Sequence, residues 1–306
     1  MALHGATIGM DAMFPGTGNA PSSEWTTVAE EDSVLLVVPN ATQQTGVVWN
    51  DCTPLPEVGG TPDDAGFLVR LTDWITDRAA VNPDRAYVYG GSNGGQMANR
   101  LAIEHPGRYA GIAAFISNIN SNLGADEECP TPAKSIPVLT VSGKRDRTTP
   151  FDGGGADVWG EELLSAEATR DFWVDNNVQD DPPSPQPVEY TEALSTVSCT
   201  RTPAPDTGAD VQLCTFERGH KIPSKPSFDF ESARLAWRFF RDRWPLLQRV
   251  ARWRGAPACT KGDSRETTGV CRGWDSNPHG TQVPTDFKSV ASATSATPAT
   301  HFACRP

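Results

Sequence analysis

Short apolar, β-branched runs alternate along the chain with longer stretches of helical periodicity. The runs lie at Val34 to Pro39, Ala86 to Gly90, Gly111 to Ile116, Val138 to Ser142 and Val211 to Phe216. Helices are predicted at Asp64 to Arg78, Asn93 to Glu104, Ala166 to Asn176 and Phe230 to Arg243, the last with Leu235, Phe239 and Phe240 on one face. Asp63 or Asp64 is expected to cap the first of them. The order of elements predicts an α/β fold, a mostly parallel sheet flanked by helices. Gln179 to Val188 (QDDPPSPQPV) reads as a proline-rich surface loop.

Composition narrows this picture. With 306 residues, 38% hydrophobic and 21% charged, the chain suits one globular domain. A net charge of −12 repels phosphate backbones and anionic lipid, so nucleic acid and membrane partners are not expected. The charge is uneven: 26 basic and 38 acidic residues divide into 18 and 34 before position 249, and 8 and 4 from there on. The folded domain is therefore placed at 1–248. The segment 249–306, rich in Ser, Thr, Ala and Pro at its end, is expected to be a disordered tail. Its string GWDSNPHGTQVPTDFKSVASATSAT resembles peptides produced when a reading frame is translated onward through a tRNA gene.

Chemistry centres on Gly90-Gly91-Ser92-Asn93-Gly94, a G-x-S-x-G match between a predicted strand and a predicted helix. A nucleophile elbow needs that context, because a Cβ two residues either side of the serine would clash with the neighbouring strand and helix. The competing reading, a glycine-rich turn that only redirects the chain or holds a phosphate, lacks a Walker lysine. A serine hydroxyl needs a base. Of five histidines, His279 and His301 lie in the tail, His105 ends a helix, and His4 comes too early for the Ser, acid, His order of such folds. His220, after a predicted strand and before the last helix, is the expected base. Asp146, just past the strand 138–142, is the expected acid, with Asp152 as competitor. The N–H of Asn93 would face the developing oxyanion.

Seven cysteines include Cys52, Cys129, Cys199 and Cys214 in the body, with no C-x-x-C zinc spacing. They fit two disulfides of an exported protein or four buried thiols, and export is favoured. The Cys199 and Cys214 spacing suits a bridge across two paired strands, which leaves Cys52 with Cys129.

Several blocks resemble the polyhydroxybutyrate depolymerase and feruloyl esterase group of α/β-hydrolases. They are Leu3 to Gly5 (LHG), Trp49 with Asp63 to Leu68 (DDAGFL), Asp84 to Ala102, Ser142 to Gly154, and the His220 block through Trp237 to Phe240. The resemblance implies a secreted serine esterase, expected as a monomer, with Ser92, Asp146 and His220 as triad and Ala6 as second oxyanion donor. It implies no metal or organic cofactor. Substrates would be feruloyl or acetyl esters of polysaccharide or short aliphatic polyesters; a prolyl-oligopeptidase-like peptidase and a non-catalytic binding module are the rival readings. Two departures stand out. Lys221, Ile222, Pro223 and Ser224 replace a tryptophan-proline-glycine after the histidine. Only Met1 and Ala2 precede the LHG block, where the family has several strands. The strand ending at His4 should lie inside the sheet, between 34–39 and 86–90, so the sequence reads as missing N-terminal strands and is expected to be poorly stable.

Overall fold

The computed structural model describes residues 1–10, 22–41, 47–52, 62–121, 123, 134–155, 162–178, 182–188, 190, 196–224, 228, 230–250 and 302–304. In chain order the elements begin with β1 (Ala2–Leu3), α1 (Ser22–Asp32), β2 (Val37–Pro39), α2 (Asp64–Thr76), β3 (Tyr87–Gly91), α3 (Asn93–Glu104), β4 (Gly111–Phe115) and β5 (Val138–Gly143). They continue with β6 (Gly154–Gly155), β7 (Glu162–Leu163), α4 (Ala166–Asn177), β8 (Gln186–Pro187), β9 (Ser198–Thr202), β10 (Val211–Phe216), α5 (Ser232–Val250) and β11 (Phe302–Cys304). The expected tail otherwise lies outside the described residues.

A seven-stranded sheet runs β1-β3-β4-β5-β10-β9-β8. The first five strands are parallel, and β9 and β8 add antiparallel pairings at one edge. Alternation along the strands builds two cores. Tyr89, Phe115, Val141 and Phe216 face Trp25 and Val28 of α1 and Phe239 and Phe240 of α5. Val88, Ile112, Val138 and Val211 face Leu68 of α2, Met97 and Leu101 of α3, and Trp173 of α4. Each fully buried side chain of this size contributes about 1.5–3 kcal/mol, which is why the near-continuous apolar runs become central strands. The result is an α/β arrangement, a mostly parallel sheet between two helical layers.

Several elements differ from expectation. The first strand is shorter because Val34 N–H still bonds to Ala29 O at the end of α1. The strand expected to run through Ile116 ends at Phe115, and Ile116 turns into the left-handed region at φ 46°. Part of the expected proline-rich loop is strand: β8 pairs with β9 at the sheet edge, where proline's missing N–H is tolerated. Asp63 supplies the cap of α2, accepting from Gly66 N–H at 2.7 Å. β1 pairs with β3 through Ala2 and Leu3, while β2 pairs in parallel with β11.

Cys199 and Cys214 face each other in the β9–β10 register and form a disulfide. Cys52 is disulfide-bonded too; the expected partner, Cys129, lies outside the described residues.

Candidate active site

β3 ends in a turn too tight for ordinary side chains. Ser92 sits at φ 54° and ψ −127°, directly before the first turn of α3. A methyl group at Gly90 would lie 2.0 Å from Gly94 O, and one at Gly94 would lie 2.5 Å from both Leu3 O and His4 O. Only glycine permits the strand, the helix and the Leu3–His4 backbone to approach this closely. Ser92 N–H donates to Phe115 O at 2.9 Å, which ties the turn to the end of β4. A non-glycine residue held at positive φ costs about 1–3 kcal/mol, and such strain collects where a side chain must be aimed.

The loop after β10 brings His220 to that side chain. His220 Nε2 lies 2.9 Å from Ser92 Oγ, and Nδ1 lies 2.8 Å from Asp146 Oδ2. With Nδ1 against a carboxylate, the neutral ring carries its proton there and turns the Nε2 lone pair to the serine hydroxyl. Asp146 follows β5 by three residues, and its side chain is almost wholly buried. Its Oδ1 accepts from Thr148 N–H at 2.9 Å and Thr149 N–H at 3.0 Å, and its Oδ2 from Thr149 Oγ1 at 3.0 Å. Burial alone would push this carboxyl upward; the hydrogen bonds from His220 and the two backbone amides outweigh it and hold the group below its usual range. Asp152, the competitor, is exposed.

Thr149 is a member of this cluster that the sequence does not reveal. Besides Asp146, its hydroxyl lies 2.9 Å from Ile116 O and 3.5 Å from His220 Nδ1. It thus couples the acid loop to the strained residue at the end of β4.

The His4-Gly5-Ala6 turn also borders Ser92. His4 is fully buried: its Nδ1 faces Gly5 O at 2.8 Å, its Nε2 accepts from Ala41 N–H at 3.0 Å, and its ring packs on Trp49 with centroids 4.9 Å apart. Burial lowers its pKa, so the ring is a neutral brace. Trp49 Nε1 in turn donates to His4 O at 3.1 Å. A methyl group at Gly5 would stand 3.5 Å from Ser92 Cβ, which places the turn, with Ala6 next along it, beside the serine. Asn93 lies at the first position of α3, where a backbone N–H has no acceptor within the helix. Its side chain bridges Trp49 N–H (2.7 Å), Trp49 O (3.0 Å) and Asp51 Oδ2 (2.7 Å). Asp64, pushed up to about 6 by burial, accepts from Asn50 N–H at 2.8 Å, extending the same buried polar network to α2.

A cavity of about 270 Å³ opens at the other end of the strands, among Met1, Trp25, Ile75, Tyr87, Trp237 and Phe240. It contains none of Ser92, Asp146 or His220, whereas the serine sits at the carboxyl ends of the strands, where open α/β sheets place their ligands. Among the described residues no cluster of His, Cys, Asp or Glu could hold a metal ion, and no helix is long and apolar enough to cross a membrane.

No family model matches the chain. It is similar to NocK of Nocardia uniformis subsp. tsuyamanensis, named as an esterase, with 37% identity over 106 residues, 34% of this chain and 30% of that one. It is similar to a SOBER1-like carboxylesterase of Arabidopsis thaliana, with 30% identity over 114 residues, 35% of this chain and 44% of the relative. Feruloyl esterase B of Piromyces equi is 26% identical over 153 residues, 48% of this chain and 27% of the relative. The chain thus spans less than half the length of the curated relatives it matches, and all three are named for ester hydrolysis. Among solved structures, acetyl xylan esterase from Aspergillus awamori aligns with a TM-score of 0.45 at 15% identity, covering 77% of this chain and 88% of that one. A variant of Arabidopsis thaliana SOBER1 aligns with a TM-score of 0.41 at 16% identity, covering 79% and 97%.

Proposed function

We propose that the chain is a serine carboxylic-ester hydrolase acting through an acyl-enzyme. The observation that carries this reading is the contact of Ser92 Oγ with His220 Nε2 at 2.9 Å, with Asp146 behind the ring at 2.8 Å, on a strained strand-to-helix turn. His220 takes the serine proton as Oγ attacks the ester carbonyl. Asp146 fixes the tautomer and stabilises the imidazolium. The N–H groups of Asn93 and Ala6 receive the oxyanion, in a site braced by His4, Trp49 and Asp51. His220 then protonates the leaving alcohol, and water, deprotonated by the same ring, hydrolyses the acyl-enzyme. No cofactor enters these steps.

The similarity to proteins named as esterases supports the substrate class. Feruloyl or acetyl esters of polysaccharide and short aliphatic polyesters are the proposed natural range. The disulfides at Cys52 and at Cys199 with Cys214 support work in an oxidising compartment, as in a secreted protein.

Fluorophosphonate labelling alongside p-nitrophenyl acetate hydrolysis tests the reading. The native protein should label covalently at Ser92. Ser92→Ala and His220→Ala should each lower turnover by a factor on the order of 10⁴. An unlabelled native protein, or variants that keep most of their turnover, would refute it. A proline p-nitroanilide peptide cleaved in preference to esters would make the protein a peptidase.

A further inference from the structure

Few large apolar side chains face solvent among the described residues. One of them, Ile8, is 50% exposed and stands at the serine's rim. A methyl group at Gly5 would touch both sides of the gap, 3.5 Å from Ser92 Cβ and 3.7 Å from Ile8 Cδ1. The turn that presents Ile8 is costly. Thr7 lies at φ 66° and Gly9 at φ 60°, so the isoleucine is flanked by two left-handed residues. The turn is pinned by Thr7 N–H to Val47 O at 3.1 Å and by Met10 N–H to Asn40 Oδ1 at 2.8 Å. An over-determined backbone that holds a large aliphatic group out in water beside a reactive atom points to a ligand that covers it.

A second aliphatic side chain lies on the other flank. A methyl group at Gly91, the residue before Ser92, would meet Ile222 Cδ1 at 2.3 Å. Ile222 follows His220 by two residues and packs, partly buried, against the core beneath the elbow. The chain thus places one branched aliphatic group at the serine's rim and another, partly buried, against Gly91, the residue before the serine. Neither is aromatic or charged.

We infer that Ile8 and Ile222 form an aliphatic subsite beside Ser92 that takes the acyl chain of a short aliphatic ester. The tetrahedral centre at the serine has four substituents. Oγ holds one, the oxyanion turns to Asn93 and Ala6, and the leaving oxygen must face His220 Nε2 to be protonated. The acyl carbon is the substituent left to lie along the apolar rim. This inference rests on the esterase reading above.

The test is a series of p-nitrophenyl acetate, butyrate and hexanoate, in which only the acyl chain changes, measured on the native protein, Ile8→Ser and Ile8→Leu. Each methylene buried against the rim raises kcat/KM by up to about fourfold. The native protein should therefore prefer butyrate to acetate by about fourfold or more. Ile8→Ser should cut that preference at least threefold, and Ile8→Leu should keep it. A native protein that hydrolyses acetate yet gains nothing from chain length, or an Ile8→Ser variant with the native preference, would overturn the subsite and leave the esterase reading standing. A native protein that neither labels with fluorophosphonate nor hydrolyses any member of the series would overturn both.

Discussion

Replacing Thr149 by valine removes one hydroxyl and almost no volume, which isolates its part in the proposed triad. In the native protein Oγ1 sits 3.0 Å from Asp146 Oδ2 and 2.9 Å from Ile116 O, in a residue that is 5% exposed. A buried hydrogen bond to a charged acceptor is worth about 1.5–3 kcal/mol, and its loss removes the single hydroxyl proton that these two acceptors share. Asp146 Oδ1 keeps the N–H groups of Thr148 and Thr149, so the carboxylate stays ionised. Oδ2 is left with His220 alone, and the ring loses a constraint on its orientation. Stability should fall by about 1–2 kcal/mol in urea unfolding. The kcat for p-nitrophenyl acetate should fall about tenfold, equivalent to about 1.4 kcal/mol of barrier, and KM should stay within about twofold because Thr149 is buried against Asp146. Thr149→Ser restores the hydroxyl and should recover most of the rate. A valine variant with native kcat, or a serine variant as slow as the valine one, would refute the positioning role.

Gly94→Ala should abolish turnover and lower the melting temperature, since its Cβ would lie 2.5 Å from the carbonyls of Leu3 and His4 and separate the His4-Gly5-Ala6 turn, with its proposed oxyanion donor, from the Ser92 turn; circular dichroism with the acetate assay checks this. Glu24→Gln should flatten the pH dependence of stability. Burial pushes the Glu24 carboxyl up to about 7, so its contribution is present below about 4.5 and lost as pH rises through about 7, on the order of 2 kcal/mol between urea midpoints at pH 5 and pH 8. An equal slope in wild type and variant would exclude Glu24 as its source. The Cys199→Ala, Cys214→Ala double variant closes no loop across 15 residues and should lose about 3 kcal/mol in chemical denaturation under oxidising conditions, with no loss relative to wild type once both are reduced.

The parts of the site legible in the sequence are those where backbone sterics or chain order leave few choices. Gly90 and Gly94 flag the elbow because no other residue fits there. His220 stands out because it alone of the five histidines falls in sequence between the last apolar run of the body and the final amphipathic helix. Asp146 is preferred to Asp152 by its distance from a strand end, and the structure brings Ser92, His220 and Asp146 together. Helix α1 stays hidden because Trp25, Val28 and Ala29 are its few buried apolar positions in a polar stretch. β9 carries no apolar pattern in SCTRT, and only the Cys199 and Cys214 spacing points to a strand there, which is held by its ladder to β10 and the disulfide. Nothing in the sequence marks the side chains of Asn50, Asp51, Asp64 and Asn93 as buried, yet they are, their polar groups engaged with one another and with the Trp49 backbone. Composition cannot signal that, since a satisfied buried carboxylate looks in sequence like a solvated one.

Ile116 shows why the remainder escapes local reasoning altogether. A β-branched residue ending an apolar run is the pattern of a strand, and the left-handed region is among the worst places for it. The structure nonetheless puts it there, with its N–H on Val141 O, its carbonyl on the Thr149 hydroxyl, and its neighbour Phe115 accepting from Ser92 N–H. Two adjacent parallel strands, β3 and β4, thus each end in a residue whose backbone opposes its own preference, Ser92 at φ 54° and Ile116 at φ 46°. Each is held by bonds to the next loop over: Ser92 to β4, Ile116 to β5 and the Asp146 loop. Strain at one residue is paid for by contacts that belong to another, so a window moved along the chain sees the local conflict without the tertiary contacts that settle it. The same chain of contacts runs from the proposed nucleophile to the proposed acid.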